Sequence, residues 1–179
     1  DTDPEINPQA PEIPNDGIDQ DCSGSDDQAR IVEELEAGTL IFSEVMVDPA
    51  AIEDFKGEWF EIHNASNSPI DLYGLVIGDA DSSFVVEEHV VILSGGYSLF
   101  ALRSNSDQNG GLENIDYIYS RDDLRMDNVS TLRMETAAGL SITFIFLSYV
   151  FMHPEKIHFS ATSHESDTNQ SNYSEWGLL

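Results

Sequence analysis

From Gly38 onward the apolar positions fall in short runs rich in Val, Ile, Phe and Tyr, separated by turn residues. That period belongs to strands rather than helices. The pattern predicts strands over 39–47, 57–64, 70–77, 83–93, 96–102, 115–119, 130–135, 140–151 and 157–161. The breaks agree, since Asn67-Ser68-Pro69, Gly78-Asp79, Ser94-Gly95-Gly96, Asn109-Gly110-Gly111 and Ala138-Gly139 all lie between apolar runs. Eight or nine strands without a helix-length amphipathic stripe imply an all-β chain folded as a β-sandwich. Its expected core is Ile41, Val45, Trp59, Ile62, Leu72, Leu75, Val91, Leu99, Leu132, Ile142 and Phe144. Residues 28–37 (QARIVEELEA) are long enough for about two helical turns and read as the link to what precedes them. The longest apolar run, Ile142 to Met152, falls short of the roughly 20 residues a membrane span needs and reads as a buried strand.

Residues 1–27 follow another rule: almost nothing apolar, prolines at 4, 8, 11 and 14, and aspartates at alternate positions. In Asp19-x-Asp21-x-Ser23-Gly24-x-x-Asp27 the first, third, fifth and ninth loop positions carry side-chain oxygen, and the sixth is a glycine, where positive φ is usual. Hard oxygen donors on a tight turn are what calcium selects. The twelfth position is Arg30 rather than a bidentate glutamate, and the prolines forbid a preceding helix, so an ordinary helix–loop–helix calcium site is excluded. The expected ligands are Asp19, Asp21, Ser23 and Asp27, helped by Asp1, Asp3, Asn15 and Asp16, with calcium as the cofactor.

This segment resembles a bacterial repeat known as the putative metal-binding motif, found in secreted and surface proteins and similar in style to thrombospondin type 3 aspartate repeats. The match runs through Asp1-Thr2-Asp3-Pro4, Ile6-Asn7-Pro8, Ala10-Pro11-Glu12-Ile13 and Asn15-Asp16-Gly17-Ile18-Asp19-x-Asp21-Cys22-x-Gly24. In such repeats a cysteine usually precedes the first aspartates and pairs with the later one. Here the chain opens at Asp1 and Cys22 stands alone, which reads as a fragment cut inside the motif. The body has a resemblance of its own. Leu40-Ile41-Phe42-Ser43-Glu44-Val45-Met46 with Asp48-Pro49, Gly57-Glu58-Trp59-Phe60-Glu61-Ile62-x-Asn64, Ile70-Asp71-Leu72-x-Gly74, Ser94-Gly95-Gly96-Tyr97, Asn128-Val129-Ser130-x-Leu132-x-Met134 and Trp176 look like the lamin tail domain of bacterial surface proteins. That likeness implies an immunoglobulin-like sandwich over 38–179 and a non-catalytic module. Between Ser141 and Phe159 the sequence departs from the family's pattern.

Charge narrows the partners. The chain has 34 acidic and 7 basic residues, a formal charge of −27. The surplus is not confined to the tail, because residues 37–179 hold 22 acids against 6 bases. Such a field repels phosphate backbones and anionic lipid and draws divalent cations. Nucleic acid and membrane insertion are therefore excluded as partners. A protein or glycan ligand at the surface, met through exposed loops or an unpaired sheet edge, and flanking domains of the same polypeptide are expected. The compartment implied by the motif is extracellular or cell-surface.

Candidate chemistry is sparse. Glu58 and Glu61 flank Trp59, but an odd separation on a strand sends side chains to opposite faces, so they cannot converge on one bond. His63, His89, His153, His158 and His164 lack the spacing of metal pairs. No nucleophile elbow, Walker loop or H-E-x-x-H occurs, and Cys22 sits in an acidic loop that disfavours its thiolate. Asp48, Asp79 and Asp81 read as turn caps before they read as a second cation site. The chain therefore reads as no enzyme. It is either a calcium-stiffened binding and spacing module of a larger secreted protein, or the accessory part of an extracellular hydrolase, a nuclease or phosphatase, whose catalytic domain lies elsewhere.

Overall fold

The computed structural model describes residues 3–47, 49, 52–126, 131–146 and 157–158, with backbone alone at 54–55, 143–146 and 157–158. Asp1, Asp48, Asn128, Val129, Ser130, His153, His164, Trp176 and the side chain of Phe144 lie outside the described residues, as do the ends of the strands expected at 140–151 and 157–161. Among the described residues the strands run in the order β1 (Leu40–Met46), β2 (Trp59–Asn64), β3 (Ile70–Asp71), β4 (Val76–Gly78), β5 (Ser83–Val85), β6 (Val91–Ile92), β7 (Tyr97–Ala101), β8 (Tyr117–Ile118), β9 (Thr131–Glu135), β10 (Ser141–Phe146) and β11 (Ile157–His158). The helices are single turns: a 3-10 turn at Val32–Glu34, α1 (Asp54–Gly57) and α2 (Ser106–Asn109). None of the described helices is long and apolar enough to cross a membrane.

The strands form a five-stranded sheet, β11-β1-β2-β7-β8, a four-stranded sheet, β10-β9-β4-β5, and a two-stranded ribbon, β3-β6. Among these strands every pairing is antiparallel except β7 with β8. All three share one hydrophobic core. Phe42, Phe60, Ile62 and Phe100 come from the first sheet, Ile77, Phe84, Leu132, Met134 and Ile142 from the second, and Ile70, Leu72, Leu75 and Ile92 from the ribbon and its flanks. Aromatic rings join the layers. Phe84 of β5 stacks on Tyr117 and Tyr119 at centroid distances of 5.9 and 5.6 Å, and within the five-stranded sheet Phe60 stacks on Phe100 at 5.1 Å. The all-β sandwich that the periodicity implies is the architecture of the protein.

Three expected core residues need correction. Ile41, Val91 and Leu99 are only half-buried, and Phe42, Ile92 and Phe100 take the interior instead. On β6 and β7 both neighbours are apolar, so alternation could not choose the face; a one-residue change of parity exchanges the two sides. On β1 the cause is a bulge. The register with β2 shifts between Phe42 and Glu44, which turns both Phe42 and Val45 inward despite their odd separation. Ser43 fills the bulge, its hydroxyl 2.5 Å from Glu61 Oε1. Trp59 is buried at 7% exposure, but its neighbours Phe60 and Ile62, not Trp59, belong to the central cluster.

Two expected strands are each divided. Asp71 accepts the Tyr73 N–H at 3.0 Å, Leu75 N–H returns to Leu72 O, and Gly74 takes φ +85°, so the chain turns between β3 and β4. The exposed run Glu87-Glu88-His89 separates β5 from β6. Where β2 ends, Asn64 is fully buried. Its Nδ2 donates to Ser68 O and Ile92 O at 2.8 and 3.0 Å, and its Oδ1 accepts from Ser66 N–H and hydroxyl. One amide thus ties the five-stranded sheet to the ribbon, a buried polar knot with each partner satisfied.

The segment 28–37 contains one 3-10 turn, and it is anchored in the sandwich. Val32 and Leu35 are 0% and 2% exposed and belong to the core cluster. Arg30 pairs with the ribbon, its N–H on Pro69 O and its C=O taking Asp71 N–H, both at 2.9 Å.

Candidate metal centre

The acidic segment folds by using its own carboxylates as turn caps, since its prolines and short polar residues leave little else to hold it. Asp3 accepts from Glu5 N–H, Asp16 from Ile18 N–H and the Gln20 amide, and Asp26 from the N–H groups of Asn15 and Gly17. Gln20 is nearly buried, and its side-chain oxygen accepts Ile13 N–H at 3.1 Å. Asn15 adopts φ +67° and accepts Ala29 N–H.

Within this frame Glu12, Asp19 and Asp21 each bring a carboxylate oxygen to within 4.8 Å of the others. Among the described residues this is the one group of three or more His, Cys, Asp or Glu side chains placed to hold an ion. The turn from Asp19 to Gly24 makes the convergence possible. Cys22 has φ +58° and Gly24 φ +119°, the latter where the loop pattern calls for positive φ. Asp19 accepts Ser23 N–H and Gly24 N–H on its two oxygens, and Asp21 also accepts Ser23 N–H, all at 2.9 Å. Glu12 spans the loop, accepting Asp21 N–H at 2.6 Å on one oxygen and Asp27 N–H at 3.4 Å on the other. A carboxylate has room for about four acceptor contacts, so each of these groups keeps lone pairs for a cation. The Ser23 hydroxyl, and after it the Ser23 N–H, holds the Asp21 carboxyl below its usual value. Asp21 therefore stays charged further into acid than a free aspartate. Three carboxylates without nitrogen or sulfur form a donor set that fits a hard cation.

The other residues of the loop pattern sit around this group. Ser23 orients Asp19 and Asp21 through its N–H, and its hydroxyl lies 3.3 Å from Ser25 O. Asp27 meets Glu12 through its backbone, and its carboxylate, like those of Asp3 and Asp16, is not part of the convergent group. Glu12 was missed because the loop spacing starts at Asp19. The signal available was its place between Pro11 and Pro14, where an extended chain can lie beside the loop.

Residues 1–28 match the family model described as "Putative metal-binding motif". No curated protein matches the chain. The motif thus covers the segment in which Glu12, Asp19 and Asp21 converge, and the three carboxylates there are donors that suit a hard cation.

The remaining candidates have other partners. Asp79 Oδ1 caps a turn, accepting from Asp81 N–H, Ser82 N–H and the Ser82 hydroxyl. Glu58 is fully buried and accepts Met126 N–H at 3.1 Å, with Arg121 at 3.7 Å, whereas Glu61 is bonded to Ser43. His63 contacts Gly96 O and stacks on Tyr97, and His89 lies 2.6 Å from Asp71 and stacks on Tyr73.

Proposed function

We propose that the chain is a non-catalytic binding and spacing module of a larger secreted or surface protein, whose N-terminal segment is stiffened by calcium. The observation that carries the reading is the convergence of Glu12, Asp19 and Asp21 within the span of a metal-binding motif. Calcium is the cation of choice because the donors are all oxygen, whereas zinc and copper favour imidazole and thiolate. Backbone carbonyls, Ser23 and water would complete the coordination.

The sandwich, read as a lamin-tail-like immunoglobulin fold, then serves as the recognition part. Tyr73 and Tyr97 are 53% and 58% exposed, each stacked on a histidine, and such half-wet rings suit contact with a protein or a sugar. The acidic surface argues against nucleic acid and anionic membranes.

Titration calorimetry with calcium tests the reading, with magnesium, zinc and copper as competitors. Calcium gives a saturable heat, and Asp19→Ala or Asp21→Ala weakens it at least tenfold. No calcium-dependent heat in the parent chain would sink the proposal.

A further inference from the structure

We propose that the acidic segment and the sandwich unfold as one cooperative unit, so that a divalent cation at Glu12, Asp19 and Asp21 stabilises strands of the sandwich that it never touches. The inference rests on the cation reading above and goes beyond it, since a metal loop on a loose tether would order itself and nothing else.

Three connections lead from the cation group into the core. Glu12 is the first, because its two oxygens hold Asp21 N–H within the loop and Asp27 N–H on the chain that leaves it. Asn15 is the second, donating its N–H to Asp27 O at 3.0 Å and accepting Ala29 N–H at 3.3 Å. The next residue, Arg30, is the third, clasped by Pro69 O and Asp71 N–H of the ribbon. Val32 and Leu35 follow directly and are buried in the core, and Gly38 N–H reaches Ile142 O at 2.8 Å. No glycine- or serine-rich stretch separates Asp27 from Arg30, where slack would sit. A cation that draws Glu12, Asp19 and Asp21 together restrains the exit chain, and opening the ribbon or the Val32 contact pulls on the cation group in return. A ligand that binds only the folded unit stabilises all of it by mass action.

The test is hydrogen exchange by mass spectrometry on the 179-residue chain, in calcium and in chelator, beside calorimetric titration and thermal melts. Calcium at about a hundredfold excess over its Kd slows exchange in β2 and β7 and raises the melting temperature of the sandwich by roughly 5–10 °C. Insertion of a short glycine–serine spacer between Ala29 and Arg30, which puts slack between the loop and the ribbon, still binds calcium by calorimetry but loses at least half of that thermal shift. Saturable calcium heat with unchanged β2 exchange and melting would overturn the coupling and leave the cation reading standing. Absence of calcium heat would overturn both.

Discussion

Replacing Phe60 with alanine lowers the unfolding free energy by about 4 kcal/mol, within the range of about 3–5 kcal/mol for emptying a large aromatic site. Phe60 is fully buried, and its ring meets three others: Phe100 stacked at 5.1 Å, Tyr119 at 5.4 Å and Phe42 edge-on at 5.6 Å. Those partners come from β7, from just beyond β8, and from β1, so the cavity cannot close by moving one strand. Ile41→Ala, on the outer side of the neighbouring strand, costs only about 1 kcal/mol. Urea denaturation of both variants checks the pair, and equal losses would mean that the bulge at Ser43 does not set the parity of β1.

Arg121→Met costs about 3 kcal/mol, because it withdraws the guanidinium lying 3.7 Å from a carboxylate with no exposed surface. Glu58 still accepts Met126 N–H, but a neutral backbone donor offsets less of a buried charge than a cation does. Glu58→Gln combined with Arg121→Met recovers more than half of the loss, since removing both charges is far milder than removing one. A single variant as stable as the parent would show the pair to be energetically idle. Tyr119 reports on the same cluster: burial, then the negative charge of Glu58, pushes its phenol well above the ordinary value of 10.0, with Arg121 opposing. The folded state keeps the phenol protonated where the unfolded chain ionises, so stability falls as pH climbs above 10.0.

Much of this was legible in the chain. Alternation from Gly38 onward revealed the strands, and the aspartate spacing around Gly24 singled out the loop in which Asp19 and Asp21 meet. The misses share a cause, which is that tertiary partners decided between locally equal options. Val91-Ile92 and Leu99-Phe100 offer two apolar neighbours, and only the opposing sheet selects one. The bulge at Ser43 depends on Glu61, eighteen residues away. Glu12 joins Asp19 and Asp21 through backbone contacts across the loop, which no short pattern encodes. Residues 28–37 read as a link of about two helical turns, and it is the clasp of Arg30 by Pro69 and Asp71 that fixes that link to the ribbon.

The most direct test of the cation assignment is a crystal structure of the chain grown in calcium, with anomalous difference maps recorded at a long wavelength. The account predicts one strong peak among Glu12, Asp19 and Asp21, with oxygen distances of about 2.3–2.6 Å and six to eight ligands. A map with no peak there, or with its peak on other residues of the chain while these three stay bonded only to backbone N–H groups, would contradict it.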